Sequence, residues 1–391
     1  MATPTSKRLL LIGGGHAHLF VLERLRKRRR AWHNRLEVTL LSRTPATAYS
    51  GMLPGLIAGH YRTKQCHIDL PPLAAQAGVT LLQASVEQLD LVRNVALGGG
   101  QEWPFDLVSI DIGSSPSLTA VPGAARYAVA VKPIERFLQR WRDLQNQIGA
   151  LRRPIHLVVV GGGAGGVELV LAMAHRLGAQ RALVKWSLVT RGELLTGYPR
   201  RAARLMLRHL AEAGVALRTD TDVARIEEGK LHFADGSSAA FDALIWATGA
   251  AAQPWLAASG LACEDDGFVL VNEHLQSPSH PQVFAAGDIA VNPHDRRPKA
   301  GVFAVRQGPV LADNLLRHAL DQPLVNYRPQ TDYLSLLATG PRHAIASWYG
   351  LVWEGGWVWR WKDRIDQHFM RRFSPPFETP AVAQSMENLP R

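Results

Sequence analysis

Cysteine is scarce in this chain of 391 residues, which contains only Cys66 and Cys263. The two lie far apart and form no Cys-x-x-Cys or Cys-x4-Cys pair, so no disulfide framework is expected and a reducing cytoplasm is the default compartment. No apolar run reaches the roughly 18 residues that a membrane-spanning helix needs. The N-terminal segment does not fit a secretory signal, because its short apolar stretch runs directly into three glycines.

Acidic residues are outnumbered by basic ones, 33 to 44, which gives a formal net charge of +11. This charge favours contact with anionic lipid or nucleic acid without distinguishing between them. Much of it lies in residues 24–30, which either end the first helix, where cations suit the helix dipole, or form a binding patch. With 47% hydrophobic residues the chain can bury a full core, and its length leaves room for two or three domains.

Residues 154–168 combine a buried-strand pattern with a glycine-rich loop. Five aliphatic residues precede the pattern Gly161-x-Gly163-x-x-Gly166, and a helical pattern follows it. The first glycine permits a tight turn, the second lets the backbone approach a pyrophosphate, and the third lets helix and strand pack closely. Free N–H groups at the helix N-terminus then favour phosphate binding, so the stretch predicts a dinucleotide-binding loop.

The same arrangement occurs near the N-terminus. Both copies contain a strand, a glycine loop, a helix, a strand end 27 residues after the second key glycine, and a later Phe-Asp strand. These features fall at Gly13, Gly15, Ser42 and Gly113 in the first copy and at Gly161, Gly163, Thr190 and Gly249 in the second. The repeat predicts an α/β protein with two Rossmann-like domains and two nucleotides that face each other.

The two loops, the two Phe-Asp strands, the segment VFAAGDIA (residues 283–290) and the helix that follows it resemble the pyridine nucleotide-disulfide oxidoreductases, which are two-dinucleotide flavoproteins. The resemblance covers residues 7–320. The segments GGGHAH, YSGMLPGLIAGHY and PKAGVFAVRQGP are similar to a branch that resembles type II NADH dehydrogenases and the FAD-dependent oxidoreductases associated with selenophosphate synthetase. No kinase-like ATP-grasping segment accompanies them, so no selenium phosphorylation is assigned.

The resemblance implies FAD in the first Rossmann-like domain, NAD(P)H in the second, and a small α+β domain at the C-terminal end. Residues 1–130 and 251–325 would form the two parts of the FAD-binding domain. Residues 131–250 would form the NAD(P)H-binding domain. Residues 326–391 would form a tryptophan-rich interface or membrane-docking domain.

The resemblance also implies roles for individual residues. Asp288 would bind the ribityl chain, and the start of the following helix would direct its N–H groups at the flavin's pyrimidine end. The expected cofactor-binding residues are Gly13, Gly15, His16, Ala17, His18, Ser42, Arg43, Val86, Gly113, Gly161, Gly163, Ala164, Gly165, Gly166, Thr190, Arg191, Thr248, Gly249, Gly287, Asp288, Val302 and Phe303. The expected catalytic residues are Glu168, Lys299 and Gln307; no metal ligand is predicted. Glu168 would lie beside the nicotinamide or serve as a first-turn acid of its helix, and Lys299 would lie near the flavin or in solvent.

A redox cysteine is missing where related reductases carry one, in the pattern Cys-x-Leu-Pro-x-x-Ile-x-Gly. The matching residues here are Leu53, Pro54, Ile57 and Gly59, with Gly51 at the cysteine position. Thiol chemistry requires a thiolate near the flavin. Reduction of disulfides, persulfides or peroxides through cysteine is therefore not expected, and Cys66 is interpreted as a small buried hydrophobe.

Histidine replaces the third glycine of the first loop at His18, next to the small residue Ala17. The bulky side chain requires a wider spacing between strand and helix or must point outward. His16 and His18 would either contact FAD or act as hydrogen-bonded structural groups.

The acids that usually bind ribose are also missing, since Ser42 and Thr190 occupy their positions. Arg191 could pair with a 2′-phosphate, which favours NADPH, or could stack on adenine.

The last part of the chain, residues 348–373, interleaves five tryptophans with basic residues. Such a segment suits an anionic membrane surface and access to quinone, or a structural or dimer contact. The alternation in residues 355–361 fits a strand equally well. Aromatic–basic patterns can bind single-stranded nucleic acid, but no nucleic-acid-binding fold accompanies this one, and no nucleic-acid partner is expected.

These observations and the resemblance predict an FAD-dependent NAD(P)H dehydrogenase, either in the cytoplasm or bound peripherally to the inner face of the cell membrane. Nicotinamide would reduce FAD and leave before an acceptor takes the electrons. A quinone is the favoured acceptor, because cysteines are absent and Gln307 matches a glutamine near the quinone head in related dehydrogenases. The alternatives are a selenium- or sulfur-compound reductase and a non-catalytic, redox-sensing flavoprotein.

Overall fold

The computed structural model describes residues 6–150, 153–294 and 296–374. The first five residues of the N-terminal segment and residues 375–391 of the proposed C-terminal domain lie outside this range. Up to residue 130 the elements are β1 (Lys7–Ile12), α1 (His16–Lys27), α2 (Arg29–Trp32), β2 (Leu36–Ser42), β3 (Ala46–Ala48), α3 (Leu53–Ala58), β4 (His67–Asp69), α4 (Leu70–Ala77), β5 (Thr80–Gln83), β6 (Gln88–Asp90), β7 (Val95–Gly98), β8 (Gln101–Pro104), β9 (Leu107–Ile110), β10 (Ser115–Pro116), α5 (Ala124–Tyr127) and β11 (Val129–Ala130).

The remaining elements follow in two groups. The middle of the chain contains α6 (Ile134–Ala150), β12 (Ile155–Val160), α7 (Ala164–Leu177), β13 (Val184–Val189), α8 (Arg200–Glu212), β14 (Val215–Arg218), β15 (Val223–Glu227), β16 (Lys230–Phe233), β17 (Ser238–Ala240), β18 (Ala243–Trp246) and β19 (Ala250–Ala251). The last part contains α9 (Pro254–Ala258), β20 (Val269–Leu270), β21 (Val283–Ala285), β22 (Ala290–Val291), α10 (Gly301–Ala319), β23 (Ser335–Ala338), β24 (Ala344–Trp348), β25 (Leu351–Gly355) and α11 (Gly356–Phe373).

The first sheet has the order β21–β9–β1–β2–β5, and all its strands are parallel. The last four residues of β1 are buried, as expected for a strand covered on both faces. Strand β21 joins this sheet although it follows the second sheet in the chain. Helix α10 packs on α1, where a Cβ on Gly308 would lie 2.4 Å from the Phe20 ring.

The second sheet has the order β11–β18–β12–β13–β14 and is also entirely parallel. Its first strand, β11, begins at Val129, two residues before the boundary expected from the sequence. The chain crosses between the two sheets twice, and the crossing segments β10 and β19 pair antiparallel. These two parallel sheets confirm the predicted α/β class with Rossmann-like units.

The C-terminal part forms an antiparallel sheet, β23–β24–β25, against which α11 packs. Residues 356–361 form the first turns of α11, so the strand interpretation of the alternating tryptophans is wrong. The buried residues of α11 recur at helical spacing. They are Val358, Lys362, Asp366, Phe369, Met370 and Phe373. Phe369 and Phe373 belong to the core of the first unit, which anchors the end of the helix there. In the described part of the chain, no helix is both long and apolar enough to span a bilayer.

Candidate active site

The first glycine loop, between β1 and α1, lies directly over Asp111. Gly13 has a φ of +96°, and a Cβ there would lie 2.4 Å from the carbonyl oxygen of Asp111. A Cβ on Gly15 would lie 2.3 Å from the Asp111 carboxylate. Gly13 therefore requires glycine, and a side chain at Gly15 would have to displace the buried Asp111 carboxylate, so the bare backbone of the loop can approach a ligand at the N-terminus of α1.

His18 is fully buried beneath this loop. Its Nδ1 lies 2.6 Å from the Gly13 carbonyl oxygen, its Nε2 lies 2.9 Å from the Ser109 hydroxyl, and its backbone N–H donates to Asp111 at 3.0 Å. Burial lowers the pKa of His18 to about 4, so the imidazole is neutral at pH 7. The outward orientation considered for His18 is therefore wrong. The side chain is a hydrogen-bonded spacer between α1 and the first sheet.

A cleft of about 400 Å³ opens along the loop and the carboxyl ends of the first sheet. The expected cofactor-binding residues that line it are Gly13, Gly15, His16, Ser42, Arg43, Val86, Gly113 and Asp288. The residues expected at the FAD that do not line it are Ala17, His18, Gly287, Val302 and Phe303. On α10, Gly301 and Ala304 face the cleft instead.

His16 lines this cleft, and one of its ring nitrogens is unpaired. Its Nε2 is buried and has no hydrogen-bond partner among the residues that the structure describes. Burial lowers the pKa of His16 to about 4, so the ring is neutral. Tyr49 and Phe369 contact the ring edge-on, with centroids 5.4 and 5.8 Å away. An orphaned buried nitrogen is costly unless a bound water or a ligand group supplies its partner.

Asp288 also lines the cleft and is hydrogen-bonded to Lys132 and Ser114. Its carboxylate accepts from Lys132 at 3.1 Å and from the Ser114 hydroxyl at 3.2 Å. Lys132 lines the cleft and was not anticipated from the sequence. It lies two residues after β11, at the carboxyl end of a short strand that the sequence does not indicate.

Lys299 and Gln307 do not line the cleft. The Lys299 ammonium donates to the Ala290 carbonyl at 3.0 Å and lies 3.8 Å from the centre of the Phe268 ring. Burial lowers its pKa. Gln307 Oε1 accepts from the Gly287 N–H at 2.7 Å. Lys299 is therefore placed neither in solvent nor in the cleft, and Gln307 fixes the turn that carries Asp288.

The second glycine loop, between β12 and α7, is open to solvent. A Cβ on Gly166 would lie 2.0 Å from the Gly161 carbonyl oxygen, so this position requires glycine for packing. Nothing lies within 4 Å of the Cβ positions of Gly163 and Gly165, and both residues are exposed. The N-terminus of α7, which starts at Ala164, is therefore accessible to a phosphate group.

Residues at the strand ends surround this second loop. Thr190 is buried at the end of β13, and a Cβ on Gly162 would meet its hydroxyl at 2.4 Å. Arg191 is exposed beside it. Thr248 is partly buried and Gly249 is exposed with a φ of +56°, after the end of β18.

Glu168 connects α7 to the C-terminal sheet. Its Oε1 accepts from the Ala338 N–H of β23 at 2.7 Å. Burial raises the pKa of Glu168 to about 7, and the positive charge of Lys362 partly opposes that rise. The side chain can therefore hold or release a proton at neutral pH.

A buried ion pair lies against Gly51, the position of the missing redox cysteine. The Lys362 ammonium donates to the Gly51 carbonyl at 2.6 Å and to the Asp366 carboxylate at 2.6 Å. Asp366 also accepts from the Tyr49 hydroxyl, and burial raises its pKa. Because Ser50 lines the cleft, this cluster lies next to it. Lys362 and Asp366 were missed from the sequence, since only the packing of α11 brings them to Gly51.

The nearby cysteine is poorly suited to redox chemistry. Cys66 is buried and forms no disulfide. Burial raises the pKa of its thiol to about 12, with Asp366 adding to the rise. The thiolate that would attack a disulfide is therefore scarce at neutral pH.

Comparison with known proteins places this geometry in a family. An NADH dehydrogenase-like protein of Bacillus subtilis is 27% identical over 74% of this chain and 78% of its own length. A demethylphylloquinone reductase of Synechocystis is 25% identical over 90% of this chain and 89% of its own. The sulfide:quinone oxidoreductase of Aquifex aeolicus has a similar fold, with a TM-score of 0.79, 19% identity and coverage of 96% of this chain and 93% of that one.

A structure of NDH2 from Plasmodium falciparum in complex with NADH is similar in fold as well. Its TM-score is 0.78 at 15% identity, with 96% of this chain and 99% of that one covered. Residues 7–308 match the family described as pyridine nucleotide-disulphide oxidoreductase. The chain is therefore an oxidoreductase that belongs to the pyridine nucleotide-disulphide oxidoreductase family.

Proposed function

We propose that the protein oxidises NAD(P)H by means of FAD held in the first unit, and that the electrons pass to a quinone without a redox thiol. The observation that carries the proposal is the buried Lys362–Asp366 pair at the Gly51 carbonyl. The Lys362 ammonium and the Asp366 carboxyl group thus lie at the position where related reductases carry a redox cysteine. Such groups suit an acceptor that gains negative charge and protons as it is reduced.

The first cleft fits FAD in several respects. The glycine loop exposes the N-terminus of α1 to a pyrophosphate, and His16, the first residue of that helix, lines the cleft. Asp288, with Lys132, would hold polar groups of the cofactor. FAD bound there would supply a two-electron carrier between a nicotinamide and the acceptor.

The chain's own residues would then position the reactants. The open loop at Gly163 and Gly165 would bind the nicotinamide nucleotide's phosphates, and Gln307 would keep the Asp288 turn in place. Glu168 would hold a proton at the edge of the second unit, and Lys362 would stabilise negative charge on the acceptor. One relative supports the acceptor class, because it is a demethylphylloquinone reductase.

A comparison of acceptors tests the proposal. The purified yellow protein is supplied with NADH or NADPH, and steady-state turnover is measured with a soluble quinone, ferricyanide, oxygen, selenite and polysulfide. We expect the highest kcat/KM with the quinone. Faster reductive turnover of selenite or polysulfide would contradict the proposal in favour of the selenium- or sulfur-compound reductase. Very slow flavin reduction with a long-lived charge-transfer complex would instead support a redox-sensing role.

The pH dependence of quinone reduction should follow Glu168. Below pH about 7 its carboxyl group is protonated and can donate a proton, and as the pH rises through that value the proton is lost. The kcat with quinone should therefore decline above pH about 7. In Glu168→Gln this decline should disappear and kcat should be lower by about 100-fold, the usual contribution of general acid catalysis. Ferricyanide, which takes no proton, is the control; an unchanged decline in Glu168→Gln would exclude the role.

Nucleotide preference should depend on Arg191. Its exposed guanidinium follows the strand end where an acid would repel a 2′-phosphate. We expect Arg191→Ala to lower kcat/KM for NADPH by about 10-fold, the value of one charge-assisted hydrogen bond, and to leave NADH within about twofold. The matched control is Arg200→Ala, because Arg200 is an exposed arginine at the start of α8. A strong NADH preference in the wild type would remove the NADPH assignment.

The C-terminal part has an exposed aromatic face that suits an anionic membrane surface. Trp348, Leu351 and Trp357 are 44, 60 and 49% exposed, and Arg360 and Arg364 lie on the same helix as Trp357. Interfacial binding combines such apolar anchors with basic residues. Trp348→Ser/Trp357→Ser should sediment with anionic liposomes at least about 10-fold less than the wild type. Equal sedimentation would favour a structural or dimer role for this face, and Val92→Ser, at an exposed apolar residue of the first unit, is the control.

A further inference from the structure

Two histidines and a glutamate from separate segments meet where the C-terminal sheet packs on α8. His209 lies on α8, His343 in the turn between β23 and β24, and Glu354 on β25. One possible ligand atom from each lies within 4.8 Å of the others, and all three side chains are partly buried. None of them belongs to either nucleotide-binding loop.

Neighbouring side chains orient both imidazoles. His209 Nδ1 lies 3.2 Å from a Glu212 carboxylate oxygen, and its Nε2 lies 3.3 Å from Glu354. His343 Nδ1 lies 3.1 Å from the Thr339 hydroxyl, which itself donates to the His343 carbonyl at 3.1 Å. Each histidine thus has Nδ1 held by an oxygen, and the Nε2 of His209 turns toward Glu354. This is the arrangement in which outer carboxylates and hydroxyls fix metal-binding histidines.

The charge around the cluster also suits a cation. The carboxylates of Glu212 and Glu354 outnumber the one guanidinium, that of Arg208, which lies 2.6 Å from Glu354 Oε2. Arg208 can remain on that oxygen while the other oxygen of Glu354 serves as a ligand. A divalent ion would therefore reduce the uncompensated negative charge.

We infer that His209, His343 and Glu354 form a binding site for a first-row transition-metal dication such as Zn²⁺. Two imidazoles and one carboxylate are a common zinc ligand set, and a hard ion such as Mg²⁺ prefers oxygen alone. In a tetrahedral zinc site with bonds of about 2.1 Å, neighbouring ligand atoms are about 3.4 Å apart. The His209 Nε2 lies 3.3 Å from the Glu354 oxygen that Arg208 holds, so a small rotation of this carboxylate would bring its other oxygen to the ion, and water would complete the coordination.

Such an ion would connect three segments of the chain. It would tie β25 and the β23–β24 turn to α8, and so fix the C-terminal sheet against the second nucleotide-binding unit. Glu168 accepts a hydrogen bond from Ala338 of the same sheet, so the ion would also stabilise the position of this Glu168 partner. No metal ligand was predicted from the sequence, because His209 lies far along the chain from His343 and Glu354. Only the packing of α8 on the C-terminal sheet brings the three side chains together.

Metal titration of the full chain with FAD bound tests the site. After treatment with a chelator and its removal, the protein is titrated with Co²⁺ and Zn²⁺. Binding is followed by the visible ligand-field absorption of tetrahedral Co²⁺ and by calorimetry. We expect one equivalent per chain, displacement of Co²⁺ by Zn²⁺, and no displacement by Mg²⁺. Anomalous diffraction from zinc-loaded crystals should place the ion between His209 and His343.

Three variants and one control assign the ligands. His343→Ala and Glu354→Gln should weaken binding by at least about 100-fold, and Glu212→Gln by about 10- to 100-fold, the effect typical of an outer carboxylate. His33→Ala, at an exposed histidine of the first unit, should bind as the wild type does. The inference is overturned if the wild type takes up no Co²⁺ or Zn²⁺ at micromolar concentrations. It is equally overturned if His343→Ala and Glu354→Gln, with bound flavin retained, bind as tightly as the wild type.

Discussion

Replacing Lys362 by methionine should lower kcat with quinone by about 100-fold and lower ferricyanide reduction by less than about threefold. Lys362 is the buried cation at the Gly51 carbonyl, where negative charge on a reduced quinone would be stabilised. Removing one preorganised charge of this kind costs roughly 10²–10³ in kcat. Ferricyanide takes single electrons and no proton, so we expect its turnover to report on flavin reduction.

The control for this prediction separates the loss of the Lys362 charge from the destabilisation caused by an unpaired Asp366. Breaking a buried ion pair from one side costs about 3–5 kcal/mol, because Asp366 would remain charged and uncompensated. The double variant Lys362→Met/Asp366→Asn removes both charges and should recover the thermal stability. It should not recover quinone turnover. Full quinone activity in either variant would show that the pair is structural and that the acceptor binds elsewhere.

A single added methyl group at Gly166 should abolish efficient use of the nicotinamide nucleotide. The Cβ of Gly166→Ala would lie 2.0 Å from the Gly161 carbonyl oxygen, a backbone atom of the same loop. The loop and the start of α7 must separate, and the N–H groups that face the phosphates move with them. Overpacking of this kind costs about 3 kcal/mol, so flavin reduction by NAD(P)H at low nucleotide concentration should fall by about 100-fold.

Gly165→Ala is the matched control in the same loop, because nothing lies within 4 Å of its Cβ. It should reduce flavin at a rate within about threefold of the wild type. Both variants should retain FAD and be reduced by dithionite, since the first glycine loop is unaltered. Wild-type kinetics of Gly166→Ala in anaerobic stopped-flow reduction would exclude this loop as the nicotinamide nucleotide's binding site.

The fold could be predicted from the sequence because its signals are local. A buried strand, a glycine loop and a helix occupy consecutive residues around Gly161 and again around Gly13, and each unit has the expected parallel sheet. The end of the chain was harder to interpret. Alternating tryptophans suit a strand, and only the later spacing of Lys362, Asp366 and Phe369 identifies α11 as a helix.

The candidate site could be predicted only in part, because several of its side chains come together through tertiary packing. Asp288 and His16 follow motifs and do line the cleft. Lys299 precedes the expected helix, but its ammonium pairs with the Ala290 carbonyl, and Lys132 from a crossing segment takes the place beside Asp288. Nothing near Lys132 in the sequence distinguishes it from a surface lysine.

The most direct test of electron transfer without a redox thiol uses a variant in which both cysteines are replaced. Cys66→Ala/Cys263→Ala is reduced anaerobically by NADH and NADPH in a stopped-flow instrument, and the reduced flavin is then mixed with a soluble quinone. We predict that both half-reactions keep the wild-type rates within about twofold. Loss of either half-reaction in the cysteine-free protein, with bound FAD retained, would contradict the account.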